Sequence, residues 1–173
     1  MEQDLAMKTN YTIYKIPAGA LDFLKTNQEK MDYLKNNEVP GVTVWKWHNL
    51  VPLVLRKYLA MLISWSTVTP TFKANNIALG TDATVAQPGD TKLGAETMRA
   101  DFDTRYSVEN IAFLDIYFTK ATIGVMSLQE IWVFVDWVTW TPNSGYLLSR
   151  INVNEDMNGL EDLWINVSFT ISW

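Results

Sequence analysis

The clearest pattern lies at the end of the chain. Over residues 163–173, Leu163, Ile165, Val167, Phe169, Ile171 and Trp173 alternate with Trp164, Asn166, Ser168, Thr170 and Ser172. A period of two belongs to a strand, and at about 3.3 Å per residue this one reaches roughly 36 Å. Left unpaired, it is an aggregation hazard, so it is expected to pair inside the domain or with another subunit. A second alternating stretch sets Met98, Ala100, Phe102, Thr104 and Tyr106 against Arg99, Asp101, Asp103 and Arg105. It reads as one half-buried antiparallel strand with a wet side. Residues 108–118 and 131–140 are apolar on both faces, so each needs a second covering layer or a subunit.

Shorter strand signals fall at residues 11–16, at 77–79 before Gly80, and at 146–153 after the turn Thr141-Pro142-Asn143-Ser144-Gly145. Val42, Val44 and Trp47 form another, carrying Trp45 and His48. Helical spacing appears in two places. Leu21, Leu24, Met31 and Leu34 predict an amphipathic helix over 18–36. Val51, Leu55, Tyr58 and Leu62 predict a second over 50–63, capped by Asn49. Residues 81–94 form a long loop. The order predicts an all-β fold, a single jelly-roll or β-sandwich with one or two short N-terminal helices. One domain is expected overall, with 1–48 as N-terminal arm, helix and first strands, and 49–173 as the β-sandwich core.

Composition narrows the chemistry. The chain has 173 residues, no Cys and one His, which removes Cys/His zinc sites and thiol nucleophiles. No nucleotide-cradling glycine motif occurs. The formal charge of −5 speaks against a non-specific nucleic-acid binder. The first ten residues are acidic where a signal peptide is basic and then apolar, and the 50–63 stretch is too short to span a bilayer. Asp82, Asp90, Glu96, Glu130 and Asp136 offer carboxylates, but no spacing brings a pair together for glycosidase chemistry. Neither a catalytic residue nor a cofactor is expected, and no metal. Asn154-Glu155-Asp156-Met157-Asn158-Gly159 looks like half a calcium loop. Its twelfth position is Ile165, which cannot ligate, so an acidic hairpin loop is the better reading. His48 has no second His to bind a metal with and is expected to be structural or exposed. The sequons Asn10-Tyr11-Thr12 and Asn166-Val167-Ser168 are incidental without a leader.

One ordered set of residues goes further. Asn76-Ile77-Ala78-Leu79-Gly80-Thr81 is followed by Pro88, Asp90, Thr91 and Leu93, then Glu96 and Arg99. Leu128-Gln129-Glu130-Ile131 comes next, then Gly145-Tyr146-Leu147-Leu148-Ser149-Arg150 and the alternating terminus. Across residues 49–173 the succession resembles a β-domain of phage structural proteins, of tail or fibre type. It departs from that pattern at Asp82, where the family usually has Gly, and at Glu130-Ile131-Trp132-Val133-Phe134, which replaces a glycine-rich stretch. The bulkier strand favours a tightly packed lattice subunit. In scale the chain is also similar to the small single jelly-roll major capsid proteins of tailless, membrane-containing thermophilic phages.

The resemblance implies a virion structural protein, made in the host cytoplasm, that self-associates as a dimer or higher oligomer and packs with a second structural protein. It implies no specific nucleic acid and no transmembrane segment, with proximity to an internal virion membrane. A capsid shell is the first reading and a tail or fibre component the runner-up. The eight Trp residues bear on assembly, because aromatics gather at interface centres. The expected interface comprises Trp132, Trp137, Trp140, Trp164, Phe169, Ile171 and Trp173. A carbohydrate-binding β-sandwich module is the reading from a different class, with Trp45, Trp47 and Trp164 as sugar-stacking candidates.

Overall fold

In the computed structural model, which describes residues 6–49, 73–136 and 139–172, the chain runs β1 (Ala6–Pro17), α1 (Asn27–Asn36), β2 (Thr43–Asn49), β3 (Ala74–Gly80), β4 (Glu96–Asp101), β5 (Thr104–Val108), β6 (Ile111–Phe118), α2 (Lys120–Ile123), β7 (Val125–Val135), β8 (Tyr146–Asn158) and β9 (Glu161–Ser172). The described chain is mostly β, with two antiparallel sheets and two short helices. It forms two compact units. One comprises Met1–His48, Phe102–Met126 and Asp156–Trp173; the other comprises Asn49–Asp101 and Ser127–Glu155. No helix among the described residues is long and apolar enough to cross a membrane.

The first unit holds a five-stranded sheet in the order β2-β1-β9-β6-β5. The alternating terminus is therefore an inner strand. β9 pairs with β1 from Ala6↔Ser172 to Pro17↔Glu161 and with β6 from Ile111↔Thr170 to Phe118↔Leu163. Leu163, Ile165, Val167 and Phe169 are buried on one face of β9, and Trp164 on the other. Trp164 is covered by α1, whose Met31 and Leu34 pack with Leu21, Ile16 and Tyr117 around it. The helix is shorter than the 18–36 expectation because Thr26 caps it. The Thr26 hydroxyl accepts from Glu29 N, and the Glu29 carboxylate accepts from Thr26 N.

The second unit holds a four-stranded sheet in the order β4-β3-β7-β8. Its core gathers Ala78, Leu93, Trp132, Phe134 and Leu147. Leu93 comes from the long loop between β3 and β4, so that loop is part of the core.

Three expectations are corrected. The single strand over 98–106 is two strands in two different sheets, broken at Phe102 and Asp103. The Asp103 carboxylate accepts from Tyr117 N at 2.7 Å, which ties the break to β6. The strand over 131–140 ends at Val135, where Asp136 takes a positive φ of 46°. The acidic loop after residue 154 is not a loop: Asn154, Glu155 and Asp156 lie within β8, and only Gly159 and Leu160 connect it to β9, a strand of the other sheet. The expected helix over 50–63 lies outside the described residues.

Candidate functional site

β7 carries Glu130, Trp132 and Phe134 on one face at a period of two. Burying a carboxylate there is tolerable only with partners, and Glu130, fully buried, has four. Its Oε2 accepts from Trp132 Nε1 at 2.8 Å and from Gly94 N at 3.4 Å, and Oε1 accepts from Ala95 N at 3.0 Å. Arg150 of β8 supplies the counter-charge, its Nη2 lying 3.1 Å from Glu130 Oε2. The same guanidinium lies over the Trp132 ring, 4.6 Å from its centroid, pairs with Asp90 through Nη1 and donates from Nη2 to Thr84 O at 2.8 Å. One buried arginine thus fastens loop 81–95 to the sheet at two points.

Two glycines make the fit. A Cβ on Gly80 would run into the Glu130 carboxylate and lie 2.7 Å from Ala95 O; one on Gly94 would overlap the Asp82 carboxylate. Asp82 accepts from Thr84 N and Thr84 Oγ1, and these bonds hold its carboxyl below the usual carboxylate range.

A second network fastens loop 139–145. Arg99 of β4 pairs with Glu96 through Nε at 2.7 Å and Nη2 at 2.8 Å, both side chains almost fully buried. Arg99 lies over the Phe134 ring at 4.4 Å and donates from Nη1 to Ser144 O at 2.9 Å. Glu96 Oε2 accepts from Asn143 N at 2.7 Å, and Asn143 Oδ1 accepts from Leu93 N at 2.8 Å. The two networks meet at Leu93 and Gly94. On the loop they hold, Trp140 is 72% exposed.

In the first unit Asp115 of β6 is a fully buried charge. It accepts from Trp164 Nε1 at 3.1 Å, Asn166 Nδ2 at 2.8 Å and Thr104 Oγ1 at 3.2 Å, with Lys35 Nζ at 3.5 Å. Tyr14 stacks on Trp164 at 4.1 Å, and burial, then the Asp115 charge, raises its phenol above the ordinary value. Tyr117 donates to Asp162 at 2.7 Å, and burial followed by this carboxylate raises its phenol strongly.

Five of the seven expected interface residues are among the described ones. Trp132, Trp164 and Phe169 are buried within the chain. The second face of β7 needs no subunit, because loop 81–95, Arg99 and Arg150 cover it. Trp140 does not share a strand face with Trp132, since β7 stops first. Ile171 is partly exposed at the end of β9, and Trp137 and Trp173 lie outside the described residues. Buried Trp164 is likewise withdrawn as a sugar-stacking candidate, while Trp47 is exposed and Trp45 half-buried. Exposed His48 bonds Asn10 Oδ1 through Nδ1 at 2.6 Å. Among the described residues no group of three or more His, Asp or Glu could hold a metal ion; residues 154–156, spread along a strand, point alternately to opposite faces.

Sequence reasoning missed the arginines as covers. The signal was partial: Arg99 follows its partner Glu96 by three positions, whereas the partners of Arg150, Asp90 and Glu130, lie far from it in sequence. It also missed exposed Val85, Val125 and Leu160, which no pattern distinguishes from core residues. Comparison with known protein families, curated proteins and solved structures found no match to this chain.

Proposed function

We propose that this chain is a non-enzymatic structural subunit of a virion. In this reading it is a coat protein of jelly-roll β-sandwich type that is made in the host cytoplasm, self-associates and packs with a second structural protein. The setting of Trp140 carries the reading. A large, mostly exposed ring stands on a loop that Glu96 and Arg99 hold by its backbone. An aromatic anchored before contact loses little freedom on association, which is why Trp dominates interface energetics. Further support comes from the residues behind the resemblance. Gly80, Asp90, Glu96, Arg99, Glu130 and Arg150 are occupied in fastening loops to a sheet, which is a scaffold's use of charge.

Light scattering and native mass measurement at micromolar concentration test the proposal. An oligomer is expected, and Trp140→Ala is expected to weaken association about thirtyfold, the scale of a hot-spot loss of about 2 kcal/mol, without lowering Tm. A protein that stays monomeric at every concentration and has no partner in virions overturns it. An elongated trimer assigns the chain to a tail or fibre instead.

A further inference from the structure

Where β1 ends, the first unit leaves a groove of about 430 Å³. Its lining is of two kinds. Trp45, Pro17 and Leu160 are apolar lining residues, and Lys15, Asn158 and Glu161 are polar ones. Strand geometry sets this up. Thr43, Trp45 and Trp47 lie on one face of β2, and Lys15 and Pro17 lie on one face of β1. The two-residue connection at Gly159 and Leu160 then brings Asn158 and Glu161 to the same end.

The polar set is organised and carries no net charge. Lys15 Nζ donates to Asp156 O at 2.7 Å and lies 3.8 Å from Glu161 Oε1. Glu161 Oε1 also accepts from Asn158 Nδ2 at 2.8 Å, and Oε2 from Asn158 N at 3.2 Å. One cation and one anion hold each other, with a carboxamide beside them. An anionic ligand meets Glu161 and a cationic one meets Lys15, so neither is favoured. A neutral ligand with a flat C–H face and a rim of hydroxyls satisfies both sets. The face lies on the indole, and the hydroxyls exchange bonds with the ammonium, carboxylate and carboxamide, which between them are donors and acceptors. The volume falls within the range of about 300–1,000 Å³ typical of small-molecule sites.

We infer that this groove binds a neutral saccharide, with Trp45 as the stacking platform and Lys15, Asn158 and Glu161 as the hydroxyl-binding edge. Exposed Trp47 stands two residues further along the same face, about 7 Å away at strand spacing. It offers a second ring beyond the groove, so the ligand is an oligosaccharide chain. The inference is independent of the assembly role proposed for Trp140, which lies in the other unit.

The test applies the full chain to an array of neutral and acidic glycans. Hits are then titrated with soluble neutral trisaccharides (cellotriose, maltotriose, chitotriose), followed by tryptophan fluorescence and by NMR shifts. Binding to neutral glycans is expected, with Trp45→Ala lowering affinity at least tenfold and Trp45→Phe, which keeps a ring, lowering it less. Glu161→Gln is expected to weaken binding by unpairing Lys15, while Val85→Ala, far from the groove in sequence and in the other unit, leaves it unchanged. Circular dichroism of each variant separates lost binding from lost fold, and the Phe variant serves if the Ala variant does not fold. No binding across the array by a folded protein overturns the inference. So does affinity unchanged in both Trp45 variants, or binding confined to sialylated or sulfated glycans.

Discussion

Arg150 shows how a single residue joins loop to sheet. Its guanidinium satisfies Glu130, reaches Asp90 and the Thr84 carbonyl, and lies over Trp132. Planarity matters: the flat guanidinium lies over the indole while its two Nη groups reach different oxygens in a fixed fork, a pre-organised geometry that a point-like ammonium lacks. Removing one member of a buried pair strands the other charge, at a cost of about 3–5 kcal/mol. Arg150→Met is therefore expected to lower unfolding free energy by about that amount in urea titration, and Arg150→Lys is expected to recover only part of it. A loss within experimental error for Arg150→Met would show that the pair is solvated in solution. Gly80 was legible as the end of a strand and Gly94 as the end of the long loop, but the reason for a glycine at either place was not. The atoms that exclude a Cβ belong to Glu130, Ala95 and Asp82, and only the fold brings Glu130 there.

Among elements, α1 has the most local explanation. Thr26 and Glu29 form a reciprocal cap, so the helix start is written in four residues. Thr26→Ala is expected to destabilise by about 1 kcal/mol. The cap is also sensitive to acid. Backbone N–H groups of Thr26 and Lys25, with the Thr26 hydroxyl, hold the Glu29 carboxyl below its ordinary value. A carboxyl depressed on folding adds stability above its unfolded pKa, and that stability is lost as pH falls through the folded value. Amide protection factors in the first turn of α1, taken relative to the intrinsic exchange rate at each pH, are expected to fall as pH drops through and below the normal glutamate range. Glu29→Gln abolishes that pH dependence if the cap is its source; an unchanged profile in the variant points to another group. The 98–106 stretch behaves differently. Its alternation is unbroken, yet Phe102 and Asp103 carry the chain from one sheet to the other. Period reports which face a side chain takes, not which strand lies beside it.

At the scale of the whole molecule, β9 holds the first unit together by pairing on both sides. Deleting residues 169–173 removes Phe169, whose burial contributes about 1.5–3 kcal/mol. It also removes the Ala6–Thr9 end of the β1 ladder and the Ile111–Ala112 end of the β6 ladder. The truncated chain is expected to be insoluble or unable to assemble, as judged by soluble yield and light scattering. A soluble, normally assembling truncation would mean that this end of the ladder contributes little.

Strand content, the amphipathic stretch behind α1, the long loop after Gly80 and the pairing demand of the terminus all follow from local chemistry, since alternation, capping and turn residues act over a few positions. The ordered set of Gly80, Asp90, Glu96, Arg99, Glu130 and Arg150 was also visible as a set. Its meaning was not, because those residues meet across as many as 60 positions of sequence and their charges are balanced only when loop and sheet are brought together. The same distance explains the tryptophans. Trp132 and Trp164 resemble surface anchors in a one-dimensional pattern, and packing turned them inward by laying arginines, a loop and a helix over them. Packing left Trp140 and Trp47 outside, and set Trp45 half-buried in the wall of a groove.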